Sequence, residues 1–152
     1  MKFQKDIFQI SFLFVTAIAL GFLVTALDFS DSSKQAQAVV VVGVAEVLVE
    51  IADSSKERFQ GLSGRDGLGK NEGMLFAFEH PGMYAFTMRG MKFPLDFIFV
   101  NENKVVGTEK NIPPQHSGQI MADTDFDRVL EVNAGFVEKN DIQIGDSVEL
   151  IL

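Results

Sequence analysis

The chain has 152 residues, of which 47% are apolar, and it contains no cysteine. That is one domain's worth with material for a core, and it excludes disulfides, thiolate chemistry and zinc–thiolate sites. A net charge of −8, from 13 Lys and Arg against 21 Asp and Glu, disfavours binding to nucleic acid and to anionic lipid headgroups.

Lys2 and Lys5 precede a stretch from Ile10 to Leu27 that carries no charge and is apolar on every side. As a helix it is about 27 Å long, close to the ~30 Å hydrocarbon thickness of a bilayer. Residues 1–27 therefore read as a signal peptide or a transmembrane anchor. The two lysines hold the N-terminus inside, so the remainder is expected in the periplasm or another extracytoplasmic space, membrane-anchored or secreted. Small-residue sites at Val24-Thr25-Ala26 and Ala36-Gln37-Ala38 both allow cleavage. Residues 28–38 (DFSDSSKQAQA) are small and polar and read as a flexible tether, which leaves 39–152 as a single β domain. From Val39 onward ten Lys and Arg stand against 18 Asp and Glu, so the exported domain carries the whole excess of negative charge.

Val39 to Ile51 (VVVVGVAEVLVEI) is rich in β-branched residues and predicts one strand. Asp53 and Ser54 supply capping chemistry for a short helix reaching about Leu62, with Phe59 and Leu62 three apart on one side. Five glycines between Gly61 and Gly73 make the next segment a loop. Strands are predicted at Met74–Phe78, Tyr84–Arg89, Leu95–Val100, Val105–Lys110, Arg128–Val132 and Ser147–Leu152. Residues 111–127 lack periodicity and read as a long loop, and Ala134–Lys139 as a helical turn or two. The pattern is mainly β, an antiparallel sandwich or barrel of jelly-roll type with one or two short helices, and shows no α/β crossover.

Arg58-Phe59-Gln60-Gly61-Leu62, GMLF, MRGMKFPLDFIFV, LEVNAGF and IGDSV stand in that order. Together they resemble the bacterial and archaeal family called domain of unknown function 192, over roughly Val47 to Leu150. The resemblance implies a mainly β domain, often behind an export signal, with no established reaction, ligand or partner. The chain departs from the family pattern at Ser63 and Thr87, and carries His116 and Ser117 where relatives often have a cysteine in the long loop.

HPGMYAFTMRGM gathers His80, Met83, Met88 and Met91, a composition that suits a soft metal. Alternation along a strand puts Tyr84, Phe86 and Met88 on one face and Ala85, Thr87 and Arg89 on the other, dividing the methionines. Core packing is the better reading, with no metal or cofactor expected. Asp96 interrupts the apolar run PLDFIFV on the face of Ile98 and Val100, so it needs a partner; Arg65, Arg89 and Arg128 are the candidates, the first two leading. Glu131 shares parity with Val129 and is expected on a solvated or paired face. Arg65, Arg89, Asp96, Arg128 and Glu131 form the candidate polar cluster. The functional expectation is a non-catalytic envelope module binding a small molecule, a glycan or another envelope protein through loops at one end, with the membrane engaged by the N-terminal segment if it is uncleaved. The alternative is a hydrolase-type enzyme around Asp96, Glu131 and an arginine.

Overall fold

The structure, a computed structural model, describes residues 37–152. The apolar segment and most of the expected tether lie outside the described residues.

Val39 to Ile51 is not one strand but a hairpin: β1 (Gln37–Val42) and β2 (Ala45–Ala52) pair antiparallel, with Val42 opposite Ala45. β-branched residues fill both arms, so only Gly43 marks the turn. It stands at φ +60 in the first position of a two-residue loop, where a type II′ turn needs glycine. β1 begins at Gln37, so the last two residues of the expected tether belong to the sheet, with Ala38 buried.

From β2 the chain passes through α1 (Ser55–Gln60) and the glycine-rich loop into β3 (Glu72–Gly82), which runs parallel to β2. The expectation of a purely antiparallel sheet without a crossover is corrected here. The connection through α1 is long enough to carry the chain back to the starting end of β2, as a parallel pair demands. β4 (Leu95–Asn101), β5 (Lys104–Ile112), β6 (Phe126–Asn133), α2 (Phe136–Lys139) and β7 (Val148–Ile151) complete the fold. The strands form one seven-stranded sheet in the order β5-β4-β6-β3-β2-β1-β7, and every pair except β2–β3 is antiparallel.

This sheet curls into a half-barrel rather than splitting into a sandwich. Its two edges meet at one corner, where Val105 N–H donates to the Asp146 carbonyl at 3.0 Å and Val148 N–H to that of Asn103 at 2.9 Å. The inner face encloses Val40, Val47, Leu75, Ile98, Leu130 and Val148. On the outer face of β3, β6 and β4, Met74, Phe76, Phe97, Phe99 and Val129 form a second core, covered by Leu62, Met88, Ile120 and Ala122 from the connecting segments. β4 is consequently buried on both sides from Leu95 to Val100, which is why it reads as a nearly unbroken apolar run.

Tyr84–Arg89, expected as a strand, makes a single β-bridge, in which Phe86 and Ile120 exchange N–H···O bonds of 2.9 Å. β3 already has β2 and β6 as neighbours, so this segment has no free ladder to join and crosses the outer face as a strap. Its side chains still alternate: Met88 is buried, Tyr84 and Phe86 pack on the outer core, and Ala85, Thr87 and Arg89 are exposed.

Candidate functional site

α1 starts on a capping box. Glu57 N–H donates to Ser54 Oγ at 3.2 Å, and Ser54 N–H donates back to Glu57 Oε2 at 3.0 Å, satisfying two helix-end donors. None of its residues is buried, so the helix is held by its side chains rather than by a packed face. Arg58 does much of the holding: its Nη1 donates to the carbonyls of Asp53 and, at 2.8 Å, of Ala77 on β3, with its guanidinium 5.2 Å from the Phe78 ring centre. Gly61, at φ +49, ends the helix where a Cβ would come within 3.1 Å of the Phe76 ring. The chain then drops Leu62 into the outer core, while Phe59, expected on the same side, is 70% exposed.

The strap is fastened opposite. Tyr84 stacks on Phe78 with ring centres 3.8 Å apart and an interplanar angle of 6°, and its hydroxyl donates to the His80 carbonyl at 2.9 Å. Ser63 Oγ donates to the Arg89 carbonyl at 2.8 Å, and Gly64 N–H to that of Gly90 at 2.9 Å. These bonds hold the α1 end and the strap apart by a fixed gap over the outer sheet face. The gap is a cavity of about 550 Å³ walled by Leu62, Phe76, Phe78, Tyr84, Phe86 and Met91, with Arg58, Phe59 and Arg89 also lining it.

Glu131 on β6 lines the same cavity. In the ladder it lies opposite Met74 of β3 and Phe97 of β4, both of the outer core, and it is only 5% exposed. The expected solvated face is therefore corrected: the covering segments are remote in sequence and bury it. Among the described residues its carboxyl has no hydrogen-bond or ion-pair partner. Burial alone pushes its pKa up from 4.5 to about 8, so at neutral pH it is a protonated carboxyl, able to donate a hydrogen bond into the cavity.

The five candidate polar residues do not form one cluster. Arg89 and Glu131 line the cavity. Asp96, fully buried on the inner face, has no arginine partner; its Oδ1 accepts from Asn111 N–H at 2.7 Å and its Oδ2 from Val137 N–H at 2.9 Å. The expected ion pair is overturned because two backbone donors reach it first. A bulge in β5 between the pairs Leu95–Ile112 and Phe97–Glu109 frees the Asn111 N–H, and the first turn of α2 offers the N–H of Val137. Arg65 instead forms a two-pronged pair with Glu50, Nη1 to Oε1 at 2.5 Å and Nη2 to Oε2 at 2.6 Å, which holds the Glu50 carboxyl below its usual range. Arg128 donates to Asp127 at 3.1 Å and to Asn103 at 3.3 Å beside the β4–β5 hairpin.

Three features of the cavity carry no sign of chemistry in the sequence: Arg58 and Phe59 lie within RFQGL without any spacing that marks them, and the aromatic stack of Phe78 and Tyr84 reads as ordinary core. Of the methionines, Met88 belongs to the outer core, Met91 packs against it, and Met83 is 55% exposed. Among the described residues no three His, Asp or Glu side chains come together as a metal-binding group.

A family profile, DUF192, described as Uncharacterized ACR, matches residues 38–150. Two solved structures share the fold. A protein of unknown function from Novosphingobium aromaticivorans is 33% identical with a TM-score of 0.74, covering 78% of this chain and 89% of its own. A protein from Sinorhizobium meliloti, provisionally described as a transcription regulator, is 28% identical with a TM-score of 0.73, covering 76% of this chain and 95% of its own. No curated protein matches the chain.

Proposed function

The chain belongs to the domain of unknown function 192 family, and within that family we propose that it is a non-catalytic binding module, displayed outside the cytoplasm, that takes a small organic molecule into the cavity between α1 and the strap. The observation that carries this reading is Glu131: a buried carboxyl without a partner among the described residues, left open to a cavity that five aromatic rings help to line. A group of that kind costs stability unless something binds to it. The cavity volume lies in the range of small-molecule sites, and apolar walls with a few convergent polar groups are their usual make-up.

The hydrolase alternative loses its main support. Asp96 and Glu131 occupy opposite faces of the sheet, and Asp96 is committed to two backbone N–H groups, so the two acids do not act on one bond. A nucleic-acid role, raised by the description of the Sinorhizobium relative, meets a domain with ten basic and 18 acidic residues from Val39 onward. Placement outside the cytoplasm rests on the uncharged run from Ile10 to Leu27 behind Lys2 and Lys5, and recovery of the protein from the cytosol would overturn it.

The binding reading is tested by NMR titration of the full-length chain with acetophenone, a neutral ring bearing one hydrogen-bond acceptor. The expected result is saturable shifts at Phe76, Phe86 and Glu131, with affinity about three- to tenfold weaker in Glu131→Leu, which removes the donor. Shifts that map elsewhere, or no binding by acetophenone and its para-substituted derivatives alike, would overturn it.

A further inference from the structure

We infer that the natural ligand of this cavity is a singly charged organic anion with an apolar or aromatic body, its anionic group received by Arg89 and an acceptor atom at its other end received by Glu131. This deepens the binding reading above and rests on it.

The inference starts from the charges around the cavity. Its lining holds three ionisable groups that matter at neutral pH, Arg58, Arg89 and Glu131. Two are guanidinium cations and the third is an uncharged acid, so the lining is positive in a chain whose net charge is −8. A local reversal of sign against such a background selects against cationic ligands and favours an anion.

The two arginines are not equivalent. Arg58 spends donors on the carbonyls of Asp53 and Ala77 and serves to pin α1 to β3. Arg89 has no hydrogen bond or ion pair from its side chain among the described residues. What holds it is the Phe59 ring, with the guanidinium carbon 4.3 Å from the ring centre. Stacking of this kind uses the face of the guanidinium and leaves its in-plane N–H groups free, an arrangement suited to a two-pronged bond with a carboxylate. It also accounts for an exposed phenylalanine at the cavity rim: Phe59 positions the arginine. One free guanidinium fits one negative charge, and the acidic surface penalises a second.

The rest of the lining sets the body. Phe76, Phe78, Tyr84, Phe86, Leu62 and Met91 offer ring faces and apolar edges, and of the polar lining residues Gln60 and Ser63 already donate to the carbonyls of Ser63 and Arg89, which leaves Thr87 and favours a flat or apolar body over a polyhydroxylated one. Glu131 is only 5% exposed and lacks a partner among the described residues, so a ligand oxygen that accepts a hydrogen bond from it restores a bond the fold leaves unmade.

Two further probes give the test, each acetophenone with one para substituent: 4-acetylbenzoate, with an anionic head, and 4-acetylbenzamide, with a neutral head of the same shape. Calorimetric titration of the full-length chain is expected to show the benzoate at least about fivefold tighter than the benzamide. That ratio should fall towards one in Arg89→Gln and be partly restored in Arg89→Lys. Raising the salt from about 0.05 M to about 0.5 M should narrow the ratio in the wild-type chain, a measurement that does not depend on any variant folding. Equal affinities for the two heads while acetophenone still binds would overturn the anion inference and leave the binding reading standing. A fivefold ratio that persists in Arg89→Gln would also overturn it. Failure of all three probes to bind at up to about 10 mM would overturn both.

Discussion

Asp96 and Glu131 are two buried acids on neighbouring strands, one register step apart, and they meet opposite fates. Asp96 pairs with Val132 in the ladder and points inward; Glu131 pairs with Phe97 and points outward. Both are removed from water, at 0% and 5% exposure. Asp96 receives two backbone N–H donors, one on each oxygen, whereas Glu131 receives none among the described residues and keeps its proton instead. Burial by itself thus does not decide the state of a carboxyl; the supply of donors does.

The largest test of that contrast is the dependence of stability on pH with and without the Glu131 carboxyl. Its pKa is raised in the folded chain from 4.5 to about 8. Below pH 4.5 the group is protonated in both states and contributes nothing to the pH dependence. Between pH 4.5 and 8 the unfolded chain releases the proton and the folded chain keeps it, so stability falls as pH rises, by roughly 4–5 kcal/mol over the window at 1.36 kcal/mol per unit. Glu131→Gln cannot titrate. Denaturant unfolding should therefore find it close to wild type near pH 4 and several kcal/mol more stable at pH 8. Curves that stay parallel across this range would show that Glu131 has a partner in the folded chain.

Asp96→Asn should move stability the other way. The carboxamide keeps the size but has one acceptor oxygen, so one of the two N–H groups, on Asn111 or Val137, faces an N–H₂ donor. A loss of about 2–3 kcal/mol is expected at pH 7, from a buried donor left unmet and a charged hydrogen bond exchanged for a neutral one. The melting temperature reads it directly. A variant melting at or above wild type would erase the contrast and make Asp96 a second candidate for ligand contact.

Some of this was legible in the chain and some was not, for physical reasons. Asp96 stood out because LDFIFV is buried on both faces and an acid has no place in such a run without a partner. Its partner did not stand out, since backbone N–H groups have no residue type to announce them; they depend on a bulge in β5 and on where α2 begins. Glu131 was misplaced for another reason. Parity correctly set it with Val129, but the cover over that face comes from α1 and the strap, which are far away in sequence and largely outside the ladder. The strap shows the same limit: alternation of Tyr84, Phe86 and Met88 gave its facing, whereas whether it joins a sheet depended on β3 having no free edge. The β1–β2 turn was hidden by valines on either side of Gly43; α1 was legible from its capping residues, but with no buried face it did not mark the crossover to a parallel β3. The mainly β character and the positions of β3 to β7 came through pattern; register, cover and donor supply came only with the assembled sheet.

The smallest expected effect belongs to Arg65, and it sharpens the contrast by what it leaves alone. The sequence offers this arginine, with Arg89, as a leading candidate partner of Asp96, but it grips Glu50 with two short bonds on a partly exposed surface. Solvent screens such a pair, so Arg65→Gln should cost at most about 1 kcal/mol at pH 7 despite the favourable geometry. The pH window is also the reverse of that for Glu131. Arg65 lowers the pKa of Glu50 in the folded chain, so the pair's contribution is present above the ordinary carboxyl value of 4.5 and is lost as pH falls through the depressed one. Wild type and Arg65→Gln should accordingly converge in acid, while wild type and Glu131→Gln diverge towards alkaline pH. Combined with Asp96→Asn, the Arg65→Gln loss should simply add, because the two sites share no bond. A double variant whose loss falls well short of the sum would couple Arg65 to Asp96 and return the arginine to the place the sequence first gave it.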